Sequence, residues 1–434
     1  MSQTHPVRQI TLFDSICLIV GIMIGTGIFE SAPGVAQNTT GIWPLAGVWI
    51  VGGVLSLLGA LTYAGLAQKY PQTGGDYVYL DHAFGRKISF LYAWCMLTVV
   101  RPGNLGAMAY VFARYAQQIC PIGEHGMFIY ACFCILLLSV TNLLGTREGK
   151  AIQNVLTVGK VLGICFLVLV GWFTAPTVSA AVVPQSPPSL ALAMIFVLFA
   201  YGGWNEIAFV AAEVKDPQRN LYRSLVGGTA AVTLLYLVVN STFLYSVGFE
   251  GLRQSDAVAH TIASRGLSGA GGIFVSALIA LSAMGTINGM IFSGARIYYA
   301  MGQDHKLFAP LGTWSKRGTP FWSIFAESFI TLALMALFSQ SQSGFESFIL
   351  YTTPLFYAFL ALVAICAFKL LPAGSRLRGH TWSASLFLLT CLFMLAMSLQ
   401  YAYENVSREI LFSLAILALG FVIERFEAWR AKTK

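Results

Sequence analysis

Apolar residues run along this chain in long blocks, not in the alternation of a half-buried strand or the narrow stripe of a surface helix. Twelve blocks approach the length of a bilayer crossing: residues 15–36, 42–68, 88–113, 126–146, 151–174, 189–212, 224–249, 266–295, 318–345, 347–368, 381–403 and 410–423. A crossing helix needs ~20 predominantly apolar residues. Lipid offers no hydrogen bonds, so each block is expected to satisfy its own backbone as a helix. The twelfth block is short and follows Arg408 and Glu409 directly. Polar stretches between blocks are brief, which predicts one all-α integral membrane domain over residues 1–434. The opening MSQTHPVRQITLFD reads as a polar leader into the first span, not as a cleavable signal peptide.

Composition agrees. Only 10% of the residues are charged and the mean hydropathy is +0.71. A soluble domain carries about 25% charged residues, so this chain has too few to cover a water-facing surface. The net charge of +8 changes the picture through its placement. Twenty of the 26 Lys and Arg sit in loops on the N-terminal side, among them Lys69, Arg86, Lys87, Lys215, Arg219 and Arg223. Arg114, Arg253, Arg265 and Arg408 lie on the other side, and Arg101 and Lys160 lie within spans. Such asymmetry is the positive-inside pattern and puts both termini in the cytoplasm, which requires an even number of spans. It points away from nucleic acid. Seven of the eight cysteines fall in spans, where thiols behave as small hydrophobes.

The chemistry lies in residues that a span should avoid. Glu30, Arg101, Lys160, Glu206 and Glu327 are ionisable groups inside apolar blocks, each a functional-site candidate because a charge in hydrocarbon must be offset. The alternative is that they pair to hold helices together. Arg101 with a carboxylate such as Glu206 would be structural in that way. The stretch FAYGGWNE (199–206) adds two glycines to the middle of the sixth block, and Gly25-Thr26-Gly27 interrupts the first. Glycine also serves close helix contacts, but two breaks in corresponding spans mark discontinuous helices at a midplane site. Gly27 and Gly203 are 176 residues apart, and Ile88 and Gly266, which open spans three and eight, are 178 apart. An inverted five-plus-five repeat follows: residues 15–174, then 189–368, with two further helices over 381–423. Freed N–H groups at a half-helix start suit an anion, and freed carbonyls suit a cation. A compact zwitterion such as an α-amino acid fits both. Other classes fit less well. The spans hold no His-Glu-x-x-His, Gly-x-Ser-x-Gly or paired metal-ligand pattern for an intramembrane enzyme, no repeated charged ring for a channel, and too many crossings for a seven-span receptor.

Several motifs in order resemble the L-type amino acid transporter branch of the amino acid–polyamine–organocation superfamily. GIMIGTGIFESAPGV (21–35) is similar to its Gly-(Ser/Thr)-Gly-Ile-Phe segment, QTGGDYVYL (72–80) to a cytoplasmic Ser-Gly-Gly-Asp-Tyr stretch, and VVRPGN (99–104) to an Ile-Arg-Pro-Ser pattern. FAYGGWNEIAFVAAEVKDPQRNL (199–221) and SAMGTINGMIFSGARIYYA (282–300) extend the likeness over most of the first ten spans. The resemblance implies the LeuT-like fold, with discontinuous helices 1 and 6, and alternating access. It implies that backbone at Ile24, Thr26 and Gly27 holds a substrate carboxylate, and that backbone at Phe199, Ala200, Tyr201, Gly202 and Gly203 holds the ammonium. Phe199 would be an aromatic gate.

Lys160 matches a span-five lysine of the family that would stand in for a sodium ion. The implied function is sodium-independent exchange of neutral amino acids, without cofactor or metal. Two alternatives remain open: proton-coupled symport carried by Lys160, Glu30 or Glu206, or a preference for cationic amino acids set by Glu30 and Glu206. Both carboxylates depart from the apolar or neutral residues usual there. Cys120 lies where animal light chains bridge to a heavy-chain glycoprotein, but the compact termini and short loops resemble a stand-alone prokaryotic member in a cytoplasmic membrane. Spans eleven and twelve are left with a scaffold role or a homodimer contact. Asn38-Thr39-Thr40 and Asn405-Val406-Ser407 read as sequons close to the membrane.

Overall fold

The computed structural model describes residues 5–176, 187–337, 344–371, 378–404 and 408–432. The second sequon, 405–407, lies outside them. Helices dominate, and the one β-bridge among the described residues joins Ile10 to Val214.

The first apolar block forms two helices, α1 (Leu12–Met23) and α2 (Gly27–Gln37), bent by 45° across Ile24, Gly25 and Thr26. Thr11 starts α1 with a capping box: its hydroxyl accepts from the Asp14 amide, and the Asp14 carboxylate accepts from the Thr11 amide at 2.8 Å. Helix α3 (Ile42–Lys69) is unbroken, and the short α4 (Asp76–Phe84) leads to the third block. That block is α5 (Arg86–Cys95), a π-turn over Met96–Val100, and α6 (Arg101–Ile119). Pro102 has no N–H to give, and the Arg101 amide reaches back to Met96 instead. Helices α7 (Gly126–Leu144) and α8 (Thr146–Phe173) meet at Gly145. The sixth block is again two pieces: α9 (Leu190–Ala200) and a 3₁₀ segment, Trp204–Glu213, separated by Tyr201, Gly202 and Gly203. The remainder is α10 (Pro217–Arg253, kinked at Gly248), α11 (Val258–Leu267), α12 (Ala270–Asp304), α13 (Phe321–Leu337), α14 (Gly344–Leu370), α15 (Arg378–Glu404) and α16 (Arg408–Lys432).

Eight helical spans among the described residues are long and apolar enough to cross a membrane, and the bent pair α1–α2 makes a ninth. The other three expected crossings fall short of that test for local reasons. The α5–α6 rod carries Arg101 and a π-turn, α13 has 17 residues, and in α16 the short apolar run lies between charged ends. Exposed side chains on the outside are apolar, such as Val155, Leu162, Phe173 and Leu234, which is a surface made for lipid.

The helices pack in pairs: α2 against α9, α1 against the 3₁₀ segment, α3 along α10, α6 along α12 and α7 against α13. The two broken spans therefore cross at the centre, with α8, α10 and α12 packed around them.

Candidate functional site

At the first break, unwinding strips carbonyls of α1 of their helical donors, and side chains from three other helices replace them. The ammonium of Lys160 on α8 is fully buried and donates to the carbonyls of Gly21 (2.7 Å), Ile24 (2.8 Å) and Ser282 (2.9 Å). Ser282 on α12 donates to Ile24 (2.7 Å) and Gly25 (3.1 Å), and Thr286, one turn on, reaches Ile22 at 3.3 Å. Tyr236 on α10 ties the two breaks together, with its hydroxyl 2.8 Å from the Met23 carbonyl and 3.1 Å from that of Ala200. This carbonyl cage around a fixed cation needs Ser282, Thr286 and Tyr236, which sequence reasoning missed. Ser282 and Thr286 open the motif 282–300. Tyr236 had no more signal than a polar tip in an apolar run.

The opposite side of the break is a helix start. Thr26 caps α2 with its backbone alone, without a side-chain bond. The first amides of a helix have no intrahelical acceptor, so the region of Thr26, Gly27 and Ile28 carries the positive end of the α2 dipole. Gly27 is where the two broken spans touch, for a Cβ there would stand 3.0 Å from Ala200 Cα.

At the second break, Gly203 takes φ +98°, and a Cβ would stand 2.6 Å from Ile22 Cγ2. Both the left-handed backbone and the contact demand glycine. Gly203→Ala is expected to lower the thermal midpoint of the purified protein and cut transport at least tenfold. A melting curve and an uptake assay check it. Phe199 is 41% exposed, whereas Ala200 is buried against Gly27. Tyr201 is buried too and turns away from α2, donating to the Trp49 carbonyl (3.3 Å) and packing on Trp49 and Tyr236. Gly202 and Gly203 border a small cleft of about 40 Å³ on the side toward α3, α14 and α15.

The charged candidates divide into separate groups. Glu206, just past the second break, is bound by the Arg101 guanidinium at 3.0 and 3.1 Å and accepts from Ser293. Arg101 also donates to Glu327 on α13 at 3.2 Å, and Tyr298 reaches the same carboxylate at 3.3 Å. Glu30 stands elsewhere, in the first turn of α2. It faces Arg114 (3.9 Å) and Tyr115 (3.4 Å) near the end of α6, thirteen residues and about 20 Å along that helix from Arg101. The two glutamates do not form one pocket.

The helix ends at Asp14 and Glu213 are latched. Amides of Gln9 and Ile10 donate to the Glu213 carbonyl at 2.9 Å, and Lys215 returns a bond to Ile10. Glu213 and Arg296 form a fully buried ion pair at 2.9 Å, and Lys150 holds Asp14 at 2.8 Å.

Asp76, in the connection between the second and third spans, is a buried carboxylate that accepts from Tyr92 at 3.2 Å. Burial lifts it from the ordinary 3.8 to about 7, with Glu206 adding to the rise and Tyr63, Tyr92 and Arg101 opposing it. Between those values the folded protein binds the extra proton, so stability is lost as pH rises through about 7. The thermal midpoint is expected to fall between about pH 4 and about pH 7 and to level off above that, and Asp76→Asn should flatten the slope.

Paired broken helices, buried charges and a lipid-facing belt together define a multi-pass membrane transport protein. A profile of the amino acid permease family matches residues 10–423, and the chain belongs to that family, in its L-type amino acid transporter branch. It is similar to the large neutral amino acids transporter small subunit 2 of Homo sapiens, 31% identical over 363 residues that cover 79% of this chain and 68% of the relative. The b(0,+)-type amino acid transporter 1 of Mus musculus is 30% identical over 74% of this chain and 68% of its own length. The cystine/glutamate transporter of Pongo abelii is 29% identical over 90% of this chain and 80% of its own. The chain is thus an amino acid transporter in a membrane, not an enzyme.

Proposed function

We propose that this protein is a sodium-independent exchanger of neutral L-amino acids, working by alternating access across the cell membrane with both termini in the cytoplasm. One observation carries the reading: the buried Lys160 ammonium donates to the Gly21 and Ile24 carbonyls freed at the broken first span and to that of Ser282. A fixed cation there removes the need for a mobile one.

The proposed architecture is twelve spans, with repeats over 15–174 and 189–368 and two further helices over 381–423. The packing supports it, because corresponding spans touch each other (one with six through α2 on α9 and α1 on the 3₁₀ segment, then α3 with α10, α6 with α12, α7 with α13), as elements around a two-fold axis would. The substrate carboxylate would lie on the amides at Thr26 and Gly27, beside Ile24, and its ammonium on the backbone from Phe199 to Gly203, with Phe199 as gate. Neutral substrates are favoured because Arg101 occupies Glu206 and Arg114 faces Glu30, leaving neither carboxylate free for a cationic side chain. The latch at Ile10, Glu213 and Arg296 closes one end, while Phe199 stands partly open on the other side of the break. Cys120, exposed at the end of α6, has no assigned heavy chain in this reading, and the protein stands alone.

Uptake of labelled leucine and arginine into proteoliposomes tests it. Sodium-free uptake of leucine into vesicles preloaded with unlabelled amino acid, and little into empty ones, is the expected result. Equal uptake into empty vesicles driven by an inward proton gradient would replace exchange by symport. A preference for arginine would overturn the neutral assignment.

A further inference from the structure

Around Arg101 the charges do not balance. One guanidinium lies between two carboxylates, Glu206 and Glu327, and all three side chains are buried. The two carboxylates are not equally served. Both oxygens of Glu206 are bound by Arg101, and Ser293 donates to it as well. Glu327 receives Arg101 and Tyr298 on Oε1 alone, while its Oε2 is buried with no hydrogen-bond partner. An ionised oxygen without a donor in a dry interior is among the costliest arrangements a protein can hold, and two carboxylates at one site tend to share a proton.

We propose that the Glu206–Glu327 pair is a proton-binding site, with its single proton on Glu327 Oε2 whenever Glu206 is docked on Arg101. Three elements besides α13 supply the other groups of the site. Helix α6 gives Arg101, the 3₁₀ segment Glu206, and α12 Tyr298. Helix α7 and the π-turn, which also touch α13, carry no charged residue. Asp76 on α4 is a further carboxylate that interacts electrostatically with Glu206 and Arg101.

The placement gives the proton a purpose, and this step rests on the reading of the chain as an alternating-access carrier. Glu206 is the third residue after Gly203, on the half of span six that must swing if the latched end opens. Helix α13 and Arg101 belong to the surrounding scaffold. When Glu206 leaves, Arg101 is left with Glu327 alone, charges balance one to one, and the proton on Oε2 passes to water on the opened side. On closing, Glu206 returns and Glu327 takes a proton back from that side. The cycle is neutral over a complete exchange, so the site senses pH on the opening side and does not drive transport. Acid there holds the carrier closed.

Infrared difference spectra of the purified full-length protein test proton occupancy without any transport assay, so failure of the exchanger reading would leave the result legible. The band of a protonated carboxylic acid should be present at a pH where Asp76 is ionised, should vanish in Glu327→Gln, and should shift in Glu327→Asp but not in Glu206→Asp. Glu206→Gln should also abolish it, because Glu327 then ionises against Arg101. Asp76→Asn should leave it in place. Absence of the band from the wild type, its persistence in Glu327→Gln, or its shift in Glu206→Asp would overturn the assignment. In proteoliposomes that exchange, acidifying the side on which the latch opens should slow wild-type turnover severalfold. Glu327→Gln should lose that dependence, and an unchanged pH profile would overturn the sensing role.

Discussion

Lys160→Met is expected to reduce sodium-free exchange by about tenfold or more, although the replacement is close in length and apolar. The wild-type ammonium is the donor to three buried carbonyls, of Gly21, Ile24 and Ser282. Each buried acceptor left without a donor costs about 1–3 kcal/mol. Ser282 still serves Ile24, and the single Thr286 hydroxyl, 3.4 Å from the Gly21 carbonyl and 3.3 Å from that of Ser282, can serve only one of the other two. For the one acceptor left unserved, the middle of that range, about 2 kcal/mol, exceeds the ~1.4 kcal/mol that makes a factor of ten. The deficit also lies on the hinge of the first broken span, whose geometry sets both the α2 amides and the Gly27–Ala200 contact. Proteoliposome exchange, with a melting curve to show that the variant is folded, checks the prediction. Any residual activity should respond to added sodium, because converging carbonyl oxygens suit a hard cation. A folded Lys160→Met variant that exchanges at the wild-type rate without sodium would remove the basis of the proposed mechanism.

Arg101→Met should cost the most stability of any single change considered. Its guanidinium meets Glu206 and Glu327 together, at 3.0 and 3.2 Å, with all three residues buried. Breaking a buried ion pair by removing one partner costs about 3–5 kcal/mol, whereas replacing the whole set with neutral groups is often tolerated. Thermal unfolding in detergent should therefore show a large drop for Arg101→Met and substantial recovery for Arg101→Met combined with Glu206→Gln. Arg101→Lys should behave nearer to Met than to Arg, because an ammonium cannot bind both oxygens of Glu206 while reaching Glu327. If the double variant melts no higher than Arg101→Met, the loss is one of packing and the charge argument fails.

The sequence carried the membrane, the helical class and the two breaks, because each depends on local chemistry. A run of apolar residues must satisfy its own backbone in lipid. Gly25, Gly27, Gly202 and Gly203 weaken a helix wherever they are placed. It also marked Glu206 and Lys160 as groups needing partners, since the cost of a buried charge does not depend on knowing its neighbours. Motif order along the chain supplied the family.

The sequence offered Arg101 as one alternative partner for Glu206, which the structure bears out, but it could not settle that pairing or join Glu327 to the same guanidinium. Arg101 meets Glu206 across 105 positions and Glu327 across 226, and no spacing rule connects residues on helices whose packing is set by the whole fold. The same holds for Tyr236, which bridges Met23 and Ala200 only because α10 crosses both broken spans. Tyr201, assigned to the substrate backbone, could not reveal that its ring turns toward Trp49. Glu30 and Glu206 looked equivalent as intramembrane carboxylates, and tertiary packing alone separated them to opposite ends of α6. The sequence by itself determined which groups must be compensated. The tertiary structure decided by what, because desolvation is a property of a residue and compensation is a property of a contact.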